Sequence, residues 1–204
     1  MTETILEKPL VIAVTGPTYN GKGSVALALA QRLPDTVLID VAQIYRQTYV
    51  NEHSPEPQNF SPFCMPELYE KIGRLIGSAD NRNVILCADM MNAQTREYWE
   101  QAATGADAEF CGLWLDADRR SRFDRAARDT PLLSRQRVED IVLGHSLISP
   151  GPLTPAWSII TTNIDRPAEE AFREALEIVL QQPAKRASGQ PARTRAPLLA
   201  IGNA

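Results

Sequence analysis

Cysteine is scarce in this chain: three in 204 residues, an odd number, with no metal-ligand spacing among Cys64, Cys87 and Cys111. That argues against a disulfide framework, and it leaves reduced thiols as the expectation, two of them in apolar strand segments. Histidine is scarcer still, and His53 and His145 stand alone, so no Cys/His zinc cluster is expected. Long apolar runs are missing. None approaches the roughly eighteen residues a membrane span needs. The opening MTETILEKPL carries acids where a secretion signal would carry bases, so a cytoplasmic protein is expected. Positive charge is not in excess either. Lys and Arg total 21 against 25 Asp and Glu, a net charge of −4, which gives no general attraction to nucleic acid or anionic membranes. A nucleophile-elbow signature, G-x-S-x-G, is also absent.

What is present is a repeated alternation of short apolar runs with helical patterns. Apolar runs at 10–15, 36–40, 84–89, 110–115 and 157–162 read as buried parallel strands. Between and after them, helical spacing appears at 22–33, 42–50, 67–78, 95–104, 119–128, 134–147 and 166–182. Ser134 is the expected cap of the sixth helix, and Pro167 suits the first turn of the last. Strands alternating with helices imply an α/β fold, a five-stranded parallel sheet with helices on both faces in a three-layer sandwich. Residues 51–66 hold four prolines and no period, so a loop is expected there. Residues 1–182 read as one domain. From 183 to 204 the chain is rich in Pro, Ala, Gly and Arg without apolar period, which reads as a disordered tail.

The densest chemistry follows the first strand. Gly16 to Ser24 reads GPTYNGKGS, a G-x-x-x-x-G-K string set between a strand and a helix. That context makes a phosphate-binding loop (P-loop, or Walker A) of it. Gly16 and Gly21 allow backbone angles that turn successive N–H groups onto an anion, and the helix start adds its unpaired N–H groups. Lys22 adds an ammonium. Tyr19 and Asn20 are unusual where small residues are typical. The nucleotide-binding set is therefore Gly16, Tyr19, Asn20, Gly21, Lys22, Gly23 and Ser24.

Strand ends supply further candidates, because open α/β sheets bind ligands beyond the carboxyl ends of their strands. Asp40, Asp89 and Asp116 lie at such ends. Asp40 reads either as a general base near an attacking hydroxyl or as an ordinary strand-end cap. Asp116 and Asp118 are expected to favour the start of the next helix. That helix carries Arg119, Arg120, Arg122, Arg125 and Arg128, and spacing by three lets at least two of them face the same way. A solvated basic face is the alternative.

These motifs resemble a known group. Lys22 followed by Gly23, then Ser24, is the GKG-[ST] variant, similar to the loop of adenylate and cytidylate kinases. DVAQIYR, from Asp40 to Arg46, resembles the acceptor segment of cytidylate kinases at Asp40, Ile44, Tyr45 and Arg46, and departs from it at Val41, Ala42 and Gln43. Asp89 resembles the D-A-T carboxylate of bacterial P-loop kinases related to polynucleotide kinases and zeta toxins, with Arg96 where that group often has an arginine. The arginine helix is similar to the lid of nucleoside monophosphate kinases. The resemblance implies ATP and Mg²⁺ as cofactors and transfer of the γ-phosphoryl to a small acceptor, with a small molecule as the expected partner. It implies Lys22, Asp40, Arg122 and Arg125 as catalytic residues, and Asp40, Arg46 and Arg96 on the acceptor. Ser24 and Asp89 would serve the metal, mostly through nucleotide oxygens and water. A solvent-facing Arg96 is an open alternative. Thr161-Thr162-Asn163 falls where such kinases often hold adenine. A non-catalytic nucleotide binder of the same fold is the competing reading. A GTPase switch is weakened by the lack of an N-K-x-D string after the fourth strand.

Removing residues 183–204 should leave the melting temperature and ATP affinity unchanged, because that segment has no apolar face to bury. Thermal unfolding of the shortened chain checks this, and a large drop would mean that Leu198, Leu199 and Ile201 dock on the domain.

Overall fold

Strand β1 (Leu10–Thr15) is apolar at its first five positions, and all six residues are buried. A strand with no polar face must be covered above and below and paired on both edges. The computed structural model meets that requirement; it describes residues 8–44, 65–79, 82–88, 93–131, 133–144 and 150–181. The other strands are β2 (Thr36–Asp40), β3 (Asn83–Cys87), β4 (Glu109–Asp116) and β5 (Trp157–Thr161). They line up as β2-β3-β1-β4-β5, every pair parallel, with β1 at the centre.

The period of two along β1 feeds two cores. Val11 and Ala13 face a layer made by α2 (Met65–Gly77) and α3 (Ala93–Gly105), which contribute Leu68, Ile72, Ile76, Trp99 and Ala103. Leu10, Ile12 and Val14 face α1 (Lys22–Arg32) and α6 (Ala168–Leu180), through Val25, Leu29, Ala171, Ala175 and Val179. The expected three-layer α/β sandwich is the one observed. A further pair, α4 (Arg119–Asp129) and α5 (Arg135–Gly144), builds its own small core from Ala126, Val138 and Val142.

Element ends differ from the sequence reading by a few residues. The expected loop 51–66 gives way to α2 from Met65, because Pro66 in a first helical turn needs no backbone donor. Helix α5 is described to Gly144, and residues 145–147 of the expected helix 134–147 lie outside the described residues. Ser134 does cap it, its hydroxyl accepting from the Arg137 N–H at 3.3 Å. The expected helix 42–50 begins one residue early, at 41, and its residues 45–50 lie outside the described residues, as do 51–64 and 182–204. Among the described residues Cys87 and Cys111 form no disulfide. Among the described residues no helix is long and apolar enough to cross a membrane.

The β4–β5 pairing explains one glycine. Gly112 lies opposite Trp157, whose indole ring occupies the space where a Gly112 Cβ would stand. The ring is fixed there by its N–H, which donates to Glu100 Oε1 at 2.6 Å. Gly112→Ala should therefore destabilise the fold by about 1–3 kcal/mol, the usual cost of overpacking a core. Denaturant unfolding with an unchanged slope is the check.

Candidate functional site

At the end of β1 the chain turns back over the sheet and enters α1. Two glycines make the turn possible. Gly16 sits at φ +136 with the Leu115 carbonyl where a Cβ would be, and Gly21 sits at φ +83. Gly21 is the N-cap of α1 and offers no side-chain acceptor, and the first turn contains no acid. Two other helix starts are treated differently. Asp118 caps α4, accepting from the Ser121 N–H at 2.7 Å, and α6 has Glu169 and Glu170 in its first turn. The start of α1 keeps its N–H groups and its partial positive charge for something else. Lys22 reaches back across the loop, Nζ donating to the Pro17 carbonyl at 2.8 Å. Gly23 and Ser24 are exposed on the first turn.

Tyr19 and Asn20 turn out to hold the loop rather than to present side chains to a ligand. Asn20 is fully buried, and its Nδ2 donates to the Leu115 carbonyl at 2.5 Å. The Asn20 carbonyl accepts from the Thr162 hydroxyl at 2.9 Å. Tyr19 has a left-handed backbone, φ 64, and its ring packs on the small core of α4 and α5 beside Phe123. A side chain turned into a core cannot also face a phosphate, so any nucleotide contact from these two residues falls to their N–H groups. Thr162 is the residue the sequence reading placed only as an adenine neighbour. No local pattern marks it, because its partner lies 142 residues away.

The arginine helix differs from a free lid. Arg122 is 4 % exposed, and Arg125 is half-buried. Arg125 donates from Nη1 to the Tyr19 carbonyl at 3.2 Å and from Nη2 to the Thr162 carbonyl. Burial pulls both guanidinium pKa values down. The Asp116 and Asp118 carboxylates oppose this at Arg122, while the Arg128 charge adds to it at Arg125. Arg119, Arg120 and Arg128 are the exposed members. Helix amphipathicity turns Arg122 and Arg125 inward, so the alternative of a solvated basic face does not describe these two. Asp118 is held below the ordinary carboxylate range, first by the Ser121 N–H.

Other candidates lie further out. Asp40 is half-buried at the end of β2 and its Oδ1 accepts from the Gln43 N–H at 3.1 Å, so the strand-end cap is real. Register places Asp40 beside Cys87 and Cys87 beside Val14. Two inter-strand steps put Asp40 roughly 10 Å from β1. Arg96 is 4 % exposed, which removes the solvent-facing reading. Its Nη2 donates to the Pro152 carbonyl at 3.2 Å, and its guanidinium carbon lies 5.9 Å from the ring centres of both Trp114 and Trp157. Desolvation lowers its pKa, against the Glu100 charge. Arg46 and Asp89 lie outside the described residues.

No family model matches the chain. Among curated proteins, tRNA dimethylallyltransferase from Herminiimonas arsenicoxydans is 39% identical over 49 residues, 24% of this chain and 15% of that protein. The one from Janthinobacterium sp. (strain Marseille) is 34% identical over 55 residues, 26% of this chain and 18% of that protein. The matches therefore span under a fifth of these relatives' length. Similar solved structures cover most of the chain. A gluconokinase from Sinorhizobium meliloti 1021 has a TM-score of 0.64 at 17% identity, over 89% of this chain and 95% of that one. The Mycobacterium tuberculosis APS kinase CysC, in complex with AMPPNP and APS, has a TM-score of 0.62 at 17% identity, over 84% of this chain and 98% of that one. A sugar kinase from Janibacter sp. HTCC2649 has a TM-score of 0.57 at 16% identity, over 87% and 97%. The chain shares the five-stranded parallel α/β fold of these kinases, the architecture that its sequence implied.

Proposed function

We propose that the chain is an ATP-dependent phosphotransferase acting on a small acceptor. One observation carries the reading: α1 starts without cap or acid, on a loop with two positive-φ glycines and Lys22, at the carboxyl end of the central strand. Backbone N–H groups, helix charge and an ammonium in one place form an anion site suited to a polyphosphate. Neighbours that bind ATP analogues and act as kinases support the choice of nucleotide.

In this reading the acceptor hydroxyl oxygen attacks the γ-phosphorus, the bond to the β–γ bridging oxygen breaks, and ADP leaves. Little covalent work remains for the protein, so positioning and charge neutralisation dominate. Lys22 would exchange the Pro17 carbonyl for phosphate oxygens. Asp40 has its second carboxylate oxygen available to take the hydroxyl proton. Arg46 would face an anionic acceptor. Arg122, close to the loop but buried, would add positive field rather than a swinging contact. Arg96, gripped by Pro152 and two indoles, would shape the floor of the acceptor side. Ser24, exposed on the first turn of α1, fits a role beside Mg²⁺, with Asp89 as the second protein group. Bound Mg²⁺ would supply charge neutralisation at the β- and γ-phosphates. An odd count of three cysteines, without the spacing of a disulfide framework, supports a reducing compartment, the cytoplasm.

A second reading is dimethylallyl transfer, favoured by the local match to tRNA dimethylallyltransferases. The same anion site would then hold the diphosphate leaving group of a prenyl donor. The net charge of −4 gives this chain little attraction for an RNA acceptor, which favours phosphoryl transfer.

Labelled ATP with a panel of nucleotide, sugar and sulfate-ester acceptors should give a labelled product. Lys22→Ala should weaken ATP by about 1.5–3 kcal/mol, roughly ten- to a hundredfold, with the fold intact. An ATP dissociation constant unmoved by the substitution overturns the phosphate-loop role. ATP binding without turnover on any acceptor favours a non-catalytic binder, and tighter binding of dimethylallyl diphosphate than of ATP favours the second reading.

A further inference from the structure

Two successive carbonyls of the phosphate loop, those of Tyr19 and Asn20, are held from outside the loop. Arg125 Nη1 takes the first at 3.2 Å, and the Thr162 hydroxyl takes the second at 2.9 Å. Arg125 Nη2 also donates to the Thr162 carbonyl, so the two holders are themselves joined. A trans peptide unit is planar, with its C=O and N–H pointing in opposite directions. Fixing the Tyr19 carbonyl outward therefore aims the Asn20 N–H the other way, and fixing the Asn20 carbonyl aims the Gly21 N–H. Those are the donors next to Lys22, where an anion would lie.

Tyr19 completes the arrangement. Its backbone sits at φ 64, a conformation that glycine adopts freely and tyrosine does not. The compensating contact is its ring, set on Ala126, Val138 and Val142 beside Phe123. Among the described residues its hydroxyl has no hydrogen-bond partner, so the side chain is attached through its ring. The α4–α5 pair is thus fastened to the loop at one residue, through the ring and through the carbonyl.

We propose that Arg125 and Tyr19 are positioning residues, which set the direction of the Asn20 and Gly21 N–H donors. The consequence for turnover rests on the phosphotransferase reading; the geometry of the loop does not. A lid cation gains its contact as charge spreads in the transition state, so its loss lowers kcat. A residue that aims ground-state donors acts on phosphate affinity instead, so its loss raises KM.

The experiment is ¹⁵N relaxation on the nucleotide-free protein, together with calorimetric titration by MgATP and by tripolyphosphate. In the wild type the Asn20 and Gly21 amides should show order parameters of about 0.85, and below about 0.6 in Arg125→Ala and Tyr19→Gly, with β1 amides unchanged. Glycine removes the backbone strain with the ring, so strain relief alone would leave the loop as ordered as before. Tyr19→Phe keeps the ring and should keep the wild-type order parameters at Asn20 and Gly21. Thr162→Val removes only the hydroxyl, so it should loosen Gly21 and spare Asn20, and it serves if Arg125→Ala fails to fold. Tripolyphosphate affinity should fall about tenfold in step with the lost order, and the KM for ATP should rise more than kcat falls. Unchanged order parameters in Arg125→Ala or Thr162→Val, or a fall in kcat with KM unmoved, would overturn the proposal and return Arg125 to the lid. If the wild type binds tripolyphosphate but not ATP, the phosphotransferase reading fails, and the order parameters still decide the positioning role.

Discussion

The buried carboxamide of Asn20 is the constraint on which the site depends. Its Nδ2 is spent on the Leu115 carbonyl at the end of β4, and the backbone carbonyl of Asn20 is held by the Thr162 hydroxyl just past β5. One residue of a turn that follows β1 is thereby tied to two other strand ends. A buried donor left without its acceptor costs about 1–3 kcal/mol, so the loop cannot drift from the sheet without losing that bond. The glycine at 16 allows the approach, since any side chain there would strike the same Leu115 carbonyl. Sheet register therefore reaches the ligand site directly.

Charge is handled by burial more than by pairing. The ion pairs of α4 and α5, such as Arg120 with Asp124 and Arg135 with Glu139, involve exposed arginines and contribute little each. Two arginines of α4 are inside, Arg122 by the Asp116 and Asp118 carboxylates and Arg125 on backbone carbonyls, one of them in the loop. Their guanidinium groups stay charged, as arginine does in proteins. Positive potential is thus fixed at the carboxyl end of the sheet without depending on the net charge of the chain. The same logic places Arg96 between two indoles on the other side of β4, where a cation can rest on ring faces in place of water.

Five strands, their parallel direction and the glycine loop between β1 and α1 were legible in the sequence, whereas the strand order was not. Parallel buried strands read as plain apolar runs, helices read as a period near 3.6, and glycine and lysine spacing fixes the loop chemistry locally. Asp118 and Ser134 were legible as caps for the same reason, since a cap bonds three residues away. The roles of Tyr19, Asn20, Arg122 and Arg125 were not. Each depends on a partner brought in by strand order, as Arg125 meets Tyr19 across 106 positions and Thr162 meets Asn20 across 142. Residue type announced a cation and an odd aromatic, but side-chain direction followed from which face of α4 met the sheet end. Local spacing determines what a segment can be. Only the packing of distant segments decides what its side chains touch, because burial and hydrogen bonding are settled by neighbours in space.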